Sequence, residues 1–318
     1  MQFGLHFGSR GNAGEPDSLK ALATTAEKLN YAHFGMSDHV VVADTVNSAY
    51  PYSPTGRFFA QDTGVSLEQV TALSFVAAAT TRIRLLTSVL VLPHRHPVLA
   101  AKMLSTVDVL SKGRLTVGVG VGWMEEEIKL LGGPPFSERA KASDEYVEAF
   151  REMWTAERPD FKGEFATAQN MLFAPKPVQL DGAPIWVGGE HPGARRRAGR
   201  IGNGWYPVAA NPKYPLDTPE LYAEGLGQVR KAAEDAGRDP SLTGALLAIY
   251  SRIGAEQEGR DGARKPFTGS AQAIIDDIEA YRSKGMSHFL IGGDGDDLSK
   301  TLERLEEFSQ AVMAKVDC

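Results

Sequence analysis

Cysteine is almost absent: one of the 318 residues is a cysteine, Cys318 at the last position, so no intramolecular disulfide framework is possible. That fits a reducing compartment, and the cytoplasm is the expected location. Positive charge is not in excess either. Lys and Arg number 34 against 40 Asp and Glu, a formal net charge of −6, which argues against a partner such as nucleic acid. No window holds about 18 uninterrupted apolar residues, so no membrane span is expected. The opening segment MQFGLHFGSRG has no basic stretch running into a long apolar one, so no signal peptide is expected. No linker of shifted composition and no low-complexity segment divides the chain, and a single domain over residues 1–318 is expected.

What the chain does have is alternation. Short apolar runs at residues 2–8, 33–37, 83–93, 114–121, 184–189, 204–208, 245–253 and 287–292 predict strands. Runs such as IRLLTSVLVL and LTVGVGV are nearly continuous, the pattern of strands buried on both faces of a parallel sheet. Amphipathic helical patterns start near Ser18, His96, Glu138 and Asp296, and the second has Pro97 near its start and Gly113 past its end. Eight strands, most followed by a helix, predict an α/β fold, a (β/α)8 TIM barrel rather than an open sheet. Two insertions break the rhythm. Residues 42–64, after strand 2, are rich in Pro, Tyr, Gly and Ser; residues 158–182, before strand 5, contain NMLFAPKPVQL, whose alternation predicts a hairpin or lid.

A barrel carries its chemistry at the C-terminal strand ends. Those ends read His6-Phe7-Gly8, Ser37-Asp38-His39, Thr87-Ser88, residues 118–123, Gly188-Gly189-Glu190, residues 205–208 and Gly292-Gly293. A carboxylate beside an imidazole, as in Asp38-His39, suits general acid/base work, although a histidine at a turn also serves simply to bond backbone. Three ends are glycine-rich: GVGVG, WVGG and LIGG. After WVGG a helix opens with Arg195, Arg196 and Arg197, a combination suited to a phosphate. Barrel convention favours the end of strand eight instead, residues 291–293, and the residues alone leave both open. GVGVG lacks the GxGxxG spacing, so its glycines are expected to make room for a ring or for tight packing. His94-Arg95-His96 holds two histidines without a neighbouring carboxylate set, and a capping or surface role is expected for His96.

Four segments carry a family resemblance: MQFGLHFG; FGMSDHV; RIRLLTSVLVLPHRHPVLAAKMLSTVDVLSKGRLTVGVGVGWMEEE; and PIWVGGEHPGARRRAGRIGNGWYP. With them the chain resembles the luciferase-like superfamily of flavin- and deazaflavin-dependent oxidoreductases, most of all its coenzyme F420-dependent branch. The resemblance implies a tricyclic ring in the barrel mouth and a phosphate-bearing tail across the rim. Asp38 and His39 would then line the ring, with His39 as catalytic proton donor. Thr87, Ser88 and Val89 would back the ring, with a cis peptide between Ser88 and Val89, and Gly120 would lie beside them. Gly188, Gly189 and Glu190 would cradle the phosphate, which decides for the fifth strand. His6, Phe7, Trp123 and Trp205 would form the substrate pocket.

Trp123 stands where the sugar-phosphate dehydrogenase branch has a glutamate acid, so a more apolar substrate is expected. Glu125, Glu126 and Glu127 lie close by, but helical spacing does not put them in that spot. The implied activity is hydride transfer between F420 and a small organic substrate, with an FMN-dependent monooxygenase as the alternative; the 42–64 insertion would then cover a dry pocket. A metal-dependent TIM-barrel hydrolase using His6, His39, His94 and His96 is a second alternative, and a cofactor-binding protein without turnover a third. A homodimer is expected from the family.

Overall fold

Eight parallel strands close into a ring in the computed structural model, which describes residues 1–53, 55–58, 64–293 and 297–316. Cys318 and the Asp296 start expected for the last helix lie outside the described residues. The strands are β1 (Gln2–Phe7), β2 (His33–Met36), β3 (Arg84–Val91), β4 (Leu115–Gly120), β5 (Ile185–Gly188), β6 (Gly204–Tyr206), β7 (Thr243–Ala248) and β8 (His288–Gly292). They pair in chain order, and β8 closes on β1 with Gln2 opposite His288 and His6 opposite Gly292. The protein is therefore the closed (β/α)8 barrel that the apolar runs predict.

Nine helices surround the ring among the described residues: α1 (Pro16–Lys28), α2 (Gln69–Ala79), α3 (Pro97–Leu110), α4 (Glu125–Leu130), α5 (Arg139–Thr155), α6 (Pro192–Ile201), α7 (Pro219–Asp235), α8 (Ala271–Ser283) and α9 (Leu298–Ala311). The local chemistry is legible in each. α1 has proline in its first turn and buries the stripe Leu19, Leu22, Ala23 and Ala26. Caps at Glu68, Thr218 and Ser270 accept from backbone N–H groups three residues on and satisfy first-turn donors. No helix among the described residues is long and apolar enough to cross a membrane.

The barrel interior is filled by Leu86, Trp186, Tyr206, Ala245, Leu247 and Leu290. Near the N-terminal end of the barrel, the rings of His33, Trp186 and His288 stand 4.9–5.4 Å apart and plug it. Toward the opposite end β3 is bulged. Its register against β4 shifts between Thr87 and Leu90, and the Ser88–Val89 peptide is cis. Glycine is required next to the bulge: a Cβ on Gly118 would lie 2.2 Å from the Thr87 carbonyl oxygen.

Two expectations change. The run 245–253 is not one strand. β7 stops at Ala248, Ser251 N–H turns back to the Ala248 carbonyl at 3.2 Å, and Arg252–Ile253 pairs with Thr268–Gly269 outside the barrel. The hairpin of the second insertion is Phe161–Lys162 with Thr167–Ala168, upstream of NMLFAPKPVQL. Prolines 175 and 177 deprive that piece of ladder donors. It runs instead along α3, where Asp108 accepts from Val178 N–H at 2.7 Å and Gln179 N–H at 3.2 Å.

Candidate active site

A cavity of about 680 Å³ opens at the C-terminal mouth of the barrel. Its floor is apolar. Val89, thrown inward by the bulge, is flanked by Gly120 and Gly188; Cβ atoms there would come within 2.7 and 3.1 Å of the Val89 methyls. Such a floor takes a planar ring and leaves no room for side chains at either glycine. The first insertion supplies the roof. Tyr50 and Phe58 pack on Trp123 with ring centroids 5.1 and 5.3 Å apart, and Phe58 lies 4.7 Å from the His39 ring.

His39 forms one wall, and its Nδ1 lies 2.8 Å from Glu127 Oε2. Glu127 is fully buried at the start of α4 and accepts from Val40 N–H at 2.7 Å and Val41 N–H at 3.2 Å through Oε1. His94 Nε2 approaches the same carboxylate at 3.7 Å. A carboxylate fixed by backbone donors that in turn fixes one imidazole nitrogen leaves the other nitrogen free to exchange a proton with a bound molecule.

Asp38 lines the cavity, yet its carboxylate is occupied. It accepts from Val91 N–H at 2.9 Å and from both Nη atoms of Arg95 at 2.7 and 2.8 Å. Burial by itself would raise the Asp38 pKa; the hydrogen bonds and charge of Arg95 outweigh it and hold the carboxyl below its usual value. Asp38 therefore ties β2 to β3 and to Arg95, which also bonds Glu68 at 2.5 Å.

At the β5 end, Gly188, Gly189 and Glu190 all line the cavity beside the first turn of α6. Gly189 has φ +102°, and a Cβ there would lie 3.1 Å from Ala194 Cβ, so the backbone passes close under the helix start. The Glu190 side chain turns away from the helix. It accepts from Val208 N–H at 2.6 Å and Asn211 Nδ2 at 2.7 Å, and the Tyr52 hydroxyl of the roof bonds to it. What Glu190 can offer an anion is thus backbone. Of the three arginines, Arg195 lies over the Trp205 ring and bonds Gln228, and Arg196 is exposed. Arg197 alone reaches the cavity, ion-paired with Asp144.

Burial pushes the Glu190 carboxyl up to about 7. Its folded pKa then exceeds the unfolded value near 4.5, so the folded chain binds the extra proton between those limits. The stability this contributes is complete below about pH 4.5 and lost as pH rises through about 7, about 3 kcal/mol in all. Urea unfolding at pH 5 and pH 8 should therefore show a fall in the wild type that Glu190→Gln largely lacks; parallel pH profiles would refute the shift.

The third wall is a chain of side chains. His6 Nδ1 lies 2.8 Å from Ser88 Oγ, which lies 2.8 Å from the Tyr206 hydroxyl, all three at the cavity.

Three expected site residues do not face the cavity: Phe7, Thr87 and Trp205. Phe7 stacks on Phe34 at 4.9 Å, Thr87 Oγ1 donates to the Gly118 carbonyl at 2.7 Å, and Trp205 stacks on Tyr222 while its Nε1 donates to the Gly189 carbonyl at 2.9 Å. Side chains alternate along a strand, so when His6, Ser88 and Tyr206 point in, the adjoining Phe7, Thr87 and Trp205 point out; only the bulge lets Val89 face the cavity beside Ser88. The sequence assigns no individual role to Tyr50, Tyr52, Phe58, Arg95, Glu127 or Tyr206, although Tyr206 stands within the strand end 205–208 and the three aromatics within the insertion expected to cover the pocket. For Glu127 a signal existed, since Met124, Glu127 and Ile128 share one helical face and all are buried. The histidines of the hydrolase alternative do not gather: His6 bonds Ser88, His39 and His94 meet at Glu127, and His96 is the exposed N-cap position of α3. Among the described residues no group of three or more His, Cys, Asp or Glu side chains is placed to hold a metal ion.

A closed barrel with an apolar floor, an aromatic roof and a carboxylate-held histidine at its mouth has the geometry of a small-molecule site. The chain belongs to the luciferase-like monooxygenase family, whose model matches residues 1–282, and is an oxidoreductase of that family. It is similar to the F420-dependent glucose-6-phosphate dehydrogenase of Nakamurella multipartita, 30% identical over 259 residues covering 80% of this chain and 69% of that one. Among solved structures it is similar to a monooxygenase from Streptomyces bottropensis, TM-score 0.77 at 21% identity with 99% of each chain covered. An F420-dependent secondary alcohol dehydrogenase gives TM-score 0.76 at 20% identity, again over 99% of each chain.

Proposed function

We propose that the protein is a coenzyme F420-dependent oxidoreductase that moves a hydride between the deazaflavin and a small, largely apolar organic substrate. The observation that carries this reading is the floor of Val89, Gly120 and Gly188 facing the His39–Glu127 pair across one cavity. The similarity to the Nakamurella enzyme over most of the chain supports the choice of cofactor. Bound deazaflavin supplies a two-electron hydride carrier. The chain's own residues do the rest. Val89 and the two glycines seat the ring, the backbone of Gly188, Gly189 and Glu190 with the α6 start takes the tail phosphate, and His39 exchanges the proton of the substrate oxygen or nitrogen. Trp123, Tyr50 and Phe58 shape an apolar substrate space and exclude water.

The same aromatic roof supports a second reading, an FMN-dependent monooxygenase, because oxygen chemistry needs a dry pocket. Titrating the protein with F420 and with FMN separates the two. Fluorescence quenching should show micromolar binding of F420 and weaker binding of FMN. A preference for FMN overturns the F420 assignment, and binding of neither overturns the flavin-site reading altogether.

We further propose one barrel domain acting as a cytoplasmic homodimer on a small-molecule substrate. The exposed apolar side chains Leu172 and Leu180, 81% and 91% accessible, with Leu99 and Leu110 on the adjoining α3, support a self-association face.

A further inference from the structure

The chain Tyr206–Ser88–His6 joins three strands, β6, β3 and β1, inside the cavity, and neither the seating of the ring nor the His39 proton exchange uses it. Ser88 and Tyr206 are buried, His6 is half-buried, and all three are neutral. Burial, with the charge of Arg10, lowers His6 to about 4, and burial raises the Tyr206 hydroxyl well above its usual range. Each hydroxyl can donate or accept, and a neutral imidazole presents at Nδ1 either a donor or a lone pair, according to which nitrogen carries its one proton. The chain therefore has two internally consistent directions. In one, His6 Nδ1–H donates to Ser88, Ser88 donates to Tyr206, and the Tyr206 O–H is left to donate into the cavity. In the other, Tyr206 donates to Ser88, Ser88 donates to His6 Nδ1, and the Tyr206 oxygen is left to accept. The number of protons is the same in both; the hydroxyls rotate and the imidazole changes tautomer.

We infer that this chain is a reversible hydrogen-bond relay through which Tyr206 holds the polar edge of the bound ring in both its oxidised and its reduced form. Reduction of a flavin-type ring adds hydrogen, so the ring edge gains donors that it lacked, and a partner of fixed polarity would favour one redox state over the other. A partner that can turn over fits both. Ser88 and His6 act here as positioning residues, since they set the polarity of Tyr206. The inference rests on the proposed ring site and goes beyond it.

The test is binding and potential in Tyr206→Phe. Fluorescence titration with oxidised F420, and with FMN in parallel, should show affinity reduced about tenfold, the loss of one neutral hydrogen bond. The midpoint potential of the bound cofactor should stay at the wild-type value, because by the thermodynamic cycle an unchanged potential means that both redox states weaken alike. Unchanged affinity overturns the contact. Weakened oxidised binding with a shifted potential overturns the reversibility, since Tyr206 then serves one state only. Should Tyr206→Phe fail to fold, Ser88→Ala carries the test: it leaves Tyr206 in place but without its relay partner, and is expected to weaken binding with the potential again unshifted. Wild-type protein that binds neither cofactor ends the ring-site reading and this inference together, whereas wild-type binding with indifferent variants ends the inference alone.

Discussion

Glu127→Gln is expected to lower turnover by about 10²-fold or more while leaving most of the stability in place. The amide oxygen can still accept from Val40 and Val41 N–H, but the amide nitrogen then faces His39 Nδ1, which lies 2.8 Å from the carboxylate oxygen in the wild type. The imidazole must rotate or take the Nε2–H tautomer, in which its free nitrogen no longer offers a lone pair to the ring site and the carboxylate that supports a protonated ring is gone. Glu127→Ala should show the same kinetic loss and in addition cost about 3 kcal/mol, because it orphans two backbone donors in a buried place. His39→Ala is the comparator: it should lose turnover as Glu127→Gln does, and the double variant should be little worse than either, as for residues acting as a unit. The measurement is bleaching of bound F420 with the best substrate from an alcohol panel, alongside urea unfolding. Wild-type kcat in Glu127→Gln would remove the pair from the mechanism.

The largest effect on stability is expected from Arg95→Met, about 3–5 kcal/mol at pH 7, since it leaves the Asp38 carboxylate buried and without its countercharge. Two charged hydrogen bonds go at once, together with the link to Glu68 that caps α2. The pH dependence has a definite sign. Asp38 has a folded pKa below its ordinary value, so in the wild type its contribution is present above the unfolded pKa near 3.8 and is lost as pH falls through the folded one. In Arg95→Met, with the countercharge gone, burial dominates and raises that pKa, so the variant should recover relative to wild type on acidification. Adding Asp38→Asn should restore much of the loss at neutral pH. A loss under about 1 kcal/mol at pH 7 would show that solvent reaches Asp38 after all.

The barrel itself was legible because its evidence is local. A strand buried on both faces must be apolar along its length, and IRLLTSVLVL and LTVGVGV are so. A helix that covers such a strand must be amphipathic, as Leu19, Leu22, Ala23 and Ala26 are on α1. The strand ends could then be listed, and six of the cavity's participants, His6, Asp38, His39, Ser88, Gly120 and Glu190, stand at those ends. The misassignments came from parity and from turns. Phe7, Thr87 and Trp205 each sit one position from a residue that does face the cavity, and a shift of one residue reverses the face. The run 245–253 looked continuous because nothing in its apolar sequence marks the turn at Ser251.

Charge was the least legible part. Helical spacing keeps Glu125, Glu126 and Glu127 out of the spot after the glycine run, and Arg95 shows only as the residue between two histidines, because a buried ion pair is visible only when both partners are placed. Glu127 meets His39 across 88 positions of sequence and Arg95 meets Asp38 across 57. The near-absence of cysteine and of positive excess, the alternation of apolar runs and helices, and the glycines at the strand ends were determined by the sequence alone, since each is a property of a short segment in contact with itself or with water. Which carboxylate holds the histidine, which tyrosine ends the hydroxyl chain and which aromatics roof the cavity were decided only in the tertiary structure. Closing the barrel brings the ends of distant strands within hydrogen-bonding distance, and burial there makes each unpaired polar group costly enough to fix its partner.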